Sequence, residues 1–429
     1  MIKVSIIIPV FNMANYLAEC LDSVTGQTLA EKEIICINDG STDDSLLILK
    51  QYQQNHDNIV IIDQENIGVA KTRNKGIKIA KGEFAAFMDP DDYYPENDIL
   101  ECLYNSAKEN NVCICGGSGA FLVNNVVKED FENIIRGLTF KQNQKIEYKD
   151  YQFQYLYTRF IYQLKMIKTN ALYFPLYIRY QDPPFMVKAM LCAGEFYGIS
   201  KITYCYRTGY KNSFSFVRAD IIKDVLKGFL DLLVMSNDEK MPRLHAHVVH
   251  DIHNDYSGCF LNGALTGNED IKSLITNIND KISKELLREA NSPYQSSPYF
   301  DYDKPHKLRE NLVAKIVEFK KYPHIFIYGA GFIGKSITKF ISIETDIKIN
   351  GFVVTTKSND EVIRGLSLKE IAEVSDFYDS ALFLISVMPE LKNEIVQIIT
   401  GHGIMNYYVF DNQEIEFFRD YQGCGTNVQ

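Results

Sequence analysis

Three carboxylates crowd into four residues, at Asp89, Asp91 and Asp92, directly after the apolar run Phe84 to Met88. Carboxylates this close at a strand end repel one another unless a cation intervenes, and they can hold Mg²⁺ or Mn²⁺ while leaving coordination positions open for phosphate oxygens. Turn-forming and capping aspartates would give the same letters, so the cluster takes its meaning from what accompanies it. Asp39 ends an earlier apolar run, where a carboxylate can accept a hydrogen bond from a nucleobase N–H or a ribose hydroxyl. Arg73, in Lys71-Thr72-Arg73-Asn74, lies on a helical segment that opens at Gly68, and a guanidinium there can face a phosphate. Gly68 permits close backbone approach to a ligand, or simply a turn.

These residues need a scaffold, and the first hundred positions supply a regular one. Val4 to Val10, Ile34 to Ile37, Ile59 to Ile62 and Phe84 to Met88 are short β-branched or apolar runs fit for buried strands. Between them, Asn15 to Val24, the stretch after Ser41-Thr42-Asp43 through Tyr52, and Gly68 to Ala80 carry helical spacing. Alternating strands and helices imply a parallel sheet covered on both faces, with ligands at the carboxyl ends of the strands. The loops at those ends read Phe11-Asn12, Asn38-Asp39-Gly40, Asn66-Ile67-Gly68 and Asp89-Pro90-Asp91-Asp92.

Composition narrows the class. A chain of 429 residues with 46% hydrophobic and 23% charged residues is long enough for two or three domains with real cores. Its net charge of −10 argues against nucleic acid as a partner, so an anionic ligand needs a local basic site or a metal. Nine scattered cysteines, an odd number mostly in apolar runs, fit a reducing compartment. The opening MIKVSIIIPVF is too short for a signal peptide, and no window reaches the roughly 18 uninterrupted apolar residues of a membrane helix. The expectation is a cytoplasmic protein, at most peripheral to the inner face of a membrane.

The ordered series Ile8-Pro9-Val10-Phe11-Asn12, Ser23 with Gln27-Thr28, Ile37 to Asp43, Asn66 to Gly76, Ala80 to Glu83 and Phe87 to Asp92 resembles a family 2 glycosyltransferase with the GT-A fold, over roughly the first 110 residues. The resemblance implies inverting transfer of a sugar from a nucleotide diphosphate, usually a uridine one, with a divalent metal at the acidic motif. It puts Pro9, Phe11 and Asp39 at the base-binding wall, Arg73 on the donor, and Asp91 and Asp92 at ribose and metal, with Asp89 beginning the same motif; Gly68 and Asp89 join them as candidate donor-binding residues. Thr72-Arg73-Asn74 stands where Ala-Arg-Asn is usual, and Pro90 stiffens the acidic loop without removing a ligand.

Inverting transfer needs a general base opposite the leaving nucleotide. The family's Glu-Asp pair is matched by Gln181-Asp182, which leaves Asp182 as the base, ahead of the helical Pro183 to Cys192. Tyr204-Cys205-Tyr206-Arg207-Thr208-Gly209 resembles the strand and loop that close such domains, with Arg207 set against diphosphate charge or in a surface ion pair.

Residues 151 to 218 are rich in tyrosine and phenylalanine, as an aromatic core or as a surface on which sugar rings stack. The stretch from 219 to about 290 is helical, and Ser292 to Pro305 reads as a linker. Beyond it, Ile325 to Tyr328 runs into Gly329-Ala330-Gly331-Phe332-Ile333-Gly334 and a helix near Lys335, the context of a dinucleotide fingerprint. The next strand, Ile349 to Val354, ends in Thr355-Thr356 and lacks the acid that binds an adenosine ribose. This unit resembles small Rossmann-like domains appended to bacterial surface-polysaccharide enzymes. His245, His247, His250 and His253 cluster on one helix, as a polar face or interface more than as a zinc site.

The expected architecture is therefore α/β: a GT-A domain over 1–218, a helical segment and linker over 219–308, and a Rossmann-like domain over 309–429. The expected activity is transfer from a UDP-hexose or UDP-N-acetylhexosamine to a hydroxyl of a glycan or lipid-linked glycan acceptor, with Mn²⁺ or Mg²⁺ as cofactor and a homo-oligomer left open. The alternative is a non-catalytic or redox nucleotide-binding protein acting through the C-terminal domain.

Overall fold

A computed structural model describes residues 1–123, 126–128, 137–208, 216–356, 362–363, 365–387 and 391–421. Gly209 and Cys424 lie outside the described residues. The chain divides into two compact units. The first comprises Met1–Phe214, Lys227–Val248 and Ser283–Gln295, and the second Ser215–Leu226, Val249–Ile282 and Ser296–Gln429.

In the first unit the chain runs β1 (Val4–Val10), α1 (Ala14–Thr25), β2 (Lys32–Asp39), α2 (Ser45–Asn55), β3 (Ile59–Gln64), α3 (Val69–Ile79), β4 (Phe84–Phe87) and α4 (Ile99–Glu109). It continues through β5 (Ile114–Val123), β6 (Val126–Lys128), β7 (Gln144–Glu147), α5 (Tyr148–Tyr151), β8 (Phe160–Gln163), α6 (Leu164–Thr169), α7 (Asp182–Ala193) and β9 (Glu195–Thr208). The strands form one sheet in the order β3-β2-β1-β4-β8-β5-β9-β7, with β6 beside β5. Strands β3, β2, β1 and β4 are parallel, as the alternating pattern requires, but β8 enters antiparallel to both β4 and β5. The whole sheet is thus mixed, while its first four strands are parallel as their alternation with helices predicts.

Every residue of β1 is buried, because α1 packs on one face through Leu17, Cys20, Leu21 and Val24 while α3 covers the other. Pro9 is tolerated in this central strand because the β1–β4 ladder stops at Ile7 paired with Phe87, two residues short of it. The α2 helix is entered from Asp44 with no side-chain cap, and the Asp43 carboxylate instead accepts from the Ser45 and Ala14 N–H groups. Most of the aromatic stretch is core: Tyr157, Tyr162, Phe174 and Phe185 are all buried against Phe87, with the rings of Phe174 and Phe185 stacked at 4.0 Å.

Helices α8 (Ala219–Asp238) and α9 (Pro242–His253) carry residues of both units, and α10 (Ser257–Leu265), α11 (Glu269–Lys281), α12 (Lys284–Glu289) and α13 (Lys304–Val317) follow. The second sheet is built from β10 (His324–Tyr328), β11 (Gly351–Val354), β12 (Val362–Ile363), β13 (Leu366–Glu370), β14 (Ala381–Ile385) and β15 (Tyr407–Val409). Helices α14 (Phe332–Glu344), α15 (Lys392–Gly401) and α16 (Asn412–Asp420) alternate with its strands. The order is β12-β13-β11-β10-β14-β15, parallel apart from β12. No helix among the described residues is long and apolar enough to cross a membrane.

Candidate active site

The carboxyl ends of β1, β2 and β4 converge with the start of α7 and the end of β9. The loops after β1 and β2 are laced together: Asn12 accepts from the Thr42 N–H at 2.8 Å, and the Asn12 N–H donates to Ser41 Oγ at 3.0 Å. Phe11 stands 44% exposed beside this junction, whereas Pro9 is buried in the strand.

Asp39, buried at the end of β2, is a hub for the loop that follows β3. Its oxygens accept from Ile67 N at 2.9 Å, Gly68 N at 3.0 Å and Gln64 Nε2 at 2.8 Å. These bonds hold Gly68 at φ +90°, a left-handed value that glycine adopts freely, and so fix where α3 begins.

The α3 helix buries three polar residues in sequence, Thr72, Arg73 and Asn74. Asn74 exchanges two hydrogen bonds with the Phe174 backbone, at 2.8 and 2.9 Å, and this brings the Phe174 ring under Arg73. The guanidinium lies 5.3 Å from the ring centroids of both Phe174 and Tyr157 and forms a 2.6 Å ion pair with Asp89. Burial works against its charge, but Tyr157, Asp89 and Asp182 together raise its pKa. Arg73 Nε and Nη1, the Tyr157 hydroxyl and Gln181 Oε1 are buried with no hydrogen-bond partner. Orphaned polar atoms at this density are costly in a folded protein.

The acidic loop is anchored from β9. Asp92 is fully buried and accepts from Tyr204 Oη at 2.7 Å and from Arg207 N at 2.8 Å. Burial first, then repulsion from Asp91 and Asp89, raises the Asp92 carboxyl well above the usual range, with those two hydrogen bonds opposing. Arg207 Nε donates to the Asp91 carbonyl at 2.9 Å, and its Nη2 pairs with Glu19 at 2.5 Å. Arg207 thus holds the acidic loop by its backbone.

Asp182 is the first residue of α7 and follows an N-cap residue, Gln181, whose side chain makes no cap bond. Burial raises its carboxyl pKa, the Arg73 charge pulls it down, and Asp89 pushes it up again. The structure therefore brings Arg73, Asp89 and Asp182 into one electrostatic cluster, with Asp91, Asp92 and Arg207 beside it.

Residue types alone gave no signal for Tyr157 or Glu19. Tyr204 carried one only as a strand residue, although its phenol bridges the Asp89 N–H at 3.2 Å and the Asp92 carboxylate. The histidines do not share one face. His245 is buried, accepts from the Ser283 N–H at 2.9 Å and bonds Ser236 Oγ at 2.8 Å. His250, Asp251 and Asp255 have ligand atoms within 4.8 Å of one another, with His250 and Asp255 exposed. In the second unit Gly329 has φ +106°, and a Cβ on Gly334 would lie 2.1 Å from the Gly329 carbonyl, so the loop hugs the start of α14.

Comparison with known proteins bears on the family and the fold. Residues 5–173 match the family described as "Glycosyl transferase family 2". The poly(ribitol-phosphate) beta-glucosyltransferase of Bacillus spizizenii is 31% identical over 265 residues, 59% of this chain and 40% of that protein. The cholesterol galactosyltransferase of Borreliella burgdorferi is 44% identical over 109 residues, 25% of this chain and 30% of that one. The chain thus spans well under half the length of these relatives. Residues 1–349 of S. aureus TarS, solved in complex with UDP-GlcNAc, superpose with a TM-score of 0.57 at 20% identity, covering 73% of this chain and 92% of that one, a likeness of fold. Residues 5–173 of this chain are a glycosyl transferase family 2 domain within a GT-A fold.

Proposed function

We propose that the chain transfers a hexose or N-acetylhexosamine, with inversion, from a uridine diphosphate sugar to a hydroxyl of a surface-glycan acceptor. The observation that carries this reading is the cluster of Arg73, Asp89 and Asp182 with buried donors left unpaired on Arg73 and Tyr157. Support for the donor and the acceptor class comes from the S. aureus protein solved with UDP-GlcNAc and from the B. spizizenii relative named for poly(ribitol phosphate).

In this reading Asp39 and the half-exposed Phe11 flank the base, and Arg73 Nε and Nη1 donate to the diphosphate. Asp182 takes the proton of the attacking hydroxyl. Its raised pKa makes it a stronger base than an exposed aspartate, while Arg73 keeps enough of it ionised to act. The carboxylates fit a divalent cation, because burial and mutual repulsion leave a local excess of negative charge. We assign Asp91 and Asp92 to Mn²⁺ or Mg²⁺, as the family resemblance implies, with the Asp92 carboxylate held in place by Tyr204 Oη and the Arg207 N–H. When bound, the cation would neutralise the departing diphosphate. Arg207 keeps Asp91 in place through its carbonyl. A lipid-linked acceptor would bring the chain to a membrane surface as a peripheral protein.

The test is UDP release from UDP-glucose, UDP-galactose and UDP-N-acetylglucosamine, with water or poly(ribitol phosphate) as acceptor, for the wild type and Asp182→Asn. Metal-dependent release by the wild type, reduced by about 10³-fold or more in the variant, is expected for loss of a general base. Equal release by both would refute the assignment.

A further inference from the structure

Resting on the reading of Asp182 as the base, the geometry points to Tyr180 and Gly228 as positioning residues that hold that base from helix α8. Tyr180 has φ +64°, a left-handed conformation that a bulky side chain rarely adopts, and it is 2% exposed. It stands two residues before Asp182, at the point where the chain turns into α7. Strain of this kind persists only where the surroundings over-determine it, and it collects at functional sites.

The surroundings here are specific. The Tyr180 ring stacks on Phe229 at 4.5 Å with a 26° interplanar angle, and its hydroxyl lies 3.3 Å from that of Tyr155. Gly228, the neighbour of Phe229, sits well inside a 20-residue helix, where glycine is a poor choice on helix propensity alone. The reason is contact: a Cβ at 228 would lie 2.5 Å from Tyr180 Cδ1 and 2.9 Å from the Tyr180 carbonyl oxygen. The second of these is backbone, so no rotamer change can relieve it. Gly228 lets α8 press directly on the peptide that aims Gln181 and Asp182, and Phe229 clamps the ring that keeps the turn left-handed. The Tyr180 side chain serves no ligand in this account. It converts helix packing into the direction in which Asp182 leaves the backbone.

The experiment compares Gly228→Ala, Tyr180→Gly, the double variant and Asp182→Asn in the full chain. UDP release is measured with the same three UDP-sugars, with water or poly(ribitol phosphate), and donor KM and thermal midpoint are recorded alongside. Gly228→Ala is expected to lower kcat by roughly 10- to 100-fold with donor KM within about twofold, the signature of a misplaced group and intact donor binding. Tyr180→Gly adopts φ +64° without strain but loses the clamp, and it should lower kcat similarly even if Gly228→Ala fails to fold. The double variant should be no worse than Tyr180→Gly alone, because a glycine backbone at 180 can yield to the new methyl. Unchanged kcat in Tyr180→Gly, or an equal loss of donor binding and kcat, would overturn the inference. If Asp182→Asn retains wild-type release, or the wild type releases UDP from none of the donors, the reading beneath it fails instead.

Discussion

Replacing Arg73 with methionine should separate the structural from the chemical part of the site. The guanidinium side chain is 7% exposed and its partner Asp89 is 25% exposed, at 2.6 Å. Breaking a fully buried pair from one side costs about 3–5 kcal/mol, whereas an exposed pair contributes about 0–1 kcal/mol. Methionine fills much of the volume between the Tyr157 and Phe174 rings and keeps a favourable sulfur–aromatic contact. With Asp89 able to recover part of its hydration, we expect a loss of about 2–3 kcal/mol, between those limits. Urea unfolding should show this as a lower midpoint with an unchanged slope. The same substitution acts on Asp182. Burial raises that carboxyl and Arg73 opposes the rise, so removing Arg73 moves its pKa further up. A base works only when ionised, so the acid limb of kcat against pH should shift to higher pH in the variant. A stability change below about 0.5 kcal/mol, the range of an ordinary surface substitution, would refute the claim that the pair is desolvated. An acid limb that stays put or moves down would refute the coupling of Arg73 to Asp182.

Three other expectations follow from the same geometry. Asp39→Ala frees the Ile67 and Gly68 N–H groups together with Gln64, so UDP binding measured by calorimetry should weaken by at least about tenfold through loss of a charge-assisted hub. Asp182→Asn should be more stable than wild type at neutral pH, with the advantage shrinking on acidification. The raised pKa means that ionised Asp182 opposes folding above the unfolded-state pKa, and denaturant midpoints across pH would report it. His245 is held neutral, its pKa lowered by burial to about 4, with Nε2 accepting from Ser283. A depressed histidine contributes stability that is present above its unfolded pKa near 6.5 and lost as pH falls toward 4, about 3 kcal/mol in all. His245→Gln should flatten that part of the stability profile.

Much of this was legible in the residues because the first half of the sheet follows simple periodicity. The β1 run lies at Val4–Val10 as its β-branched pattern requires, and α3 and β4 fall within a residue or two of expectation. Asp39, Arg73, Asp89, Asp91 and Asp92 share a strand-end surface that alternating strands and helices dictate. What sequence periodicity could not give was long-range. The antiparallel entry of β8 depends on which strands pair across some eighty residues, and no local pattern encodes that. Tyr204 reads as one aromatic in a strand, and its contact with Asp92 spans 112 residues. The left-handed turn at Tyr180 carries no glycine to announce it, because the strain is held by Gly228 and Phe229 on a helix some fifty residues later.

In the proposed reaction the strand-end carboxylates and Arg73 bind a uridine diphosphate sugar together with a divalent cation. Calorimetric titration of UDP into the wild type and Asp91→Asn, with and without Mn²⁺, tests it most directly. Mn²⁺ should strengthen UDP binding by at least about tenfold in the wild type, with that gain abolished in Asp91→Asn. Equal affinity in all four titrations, or no binding in any, would contradict it.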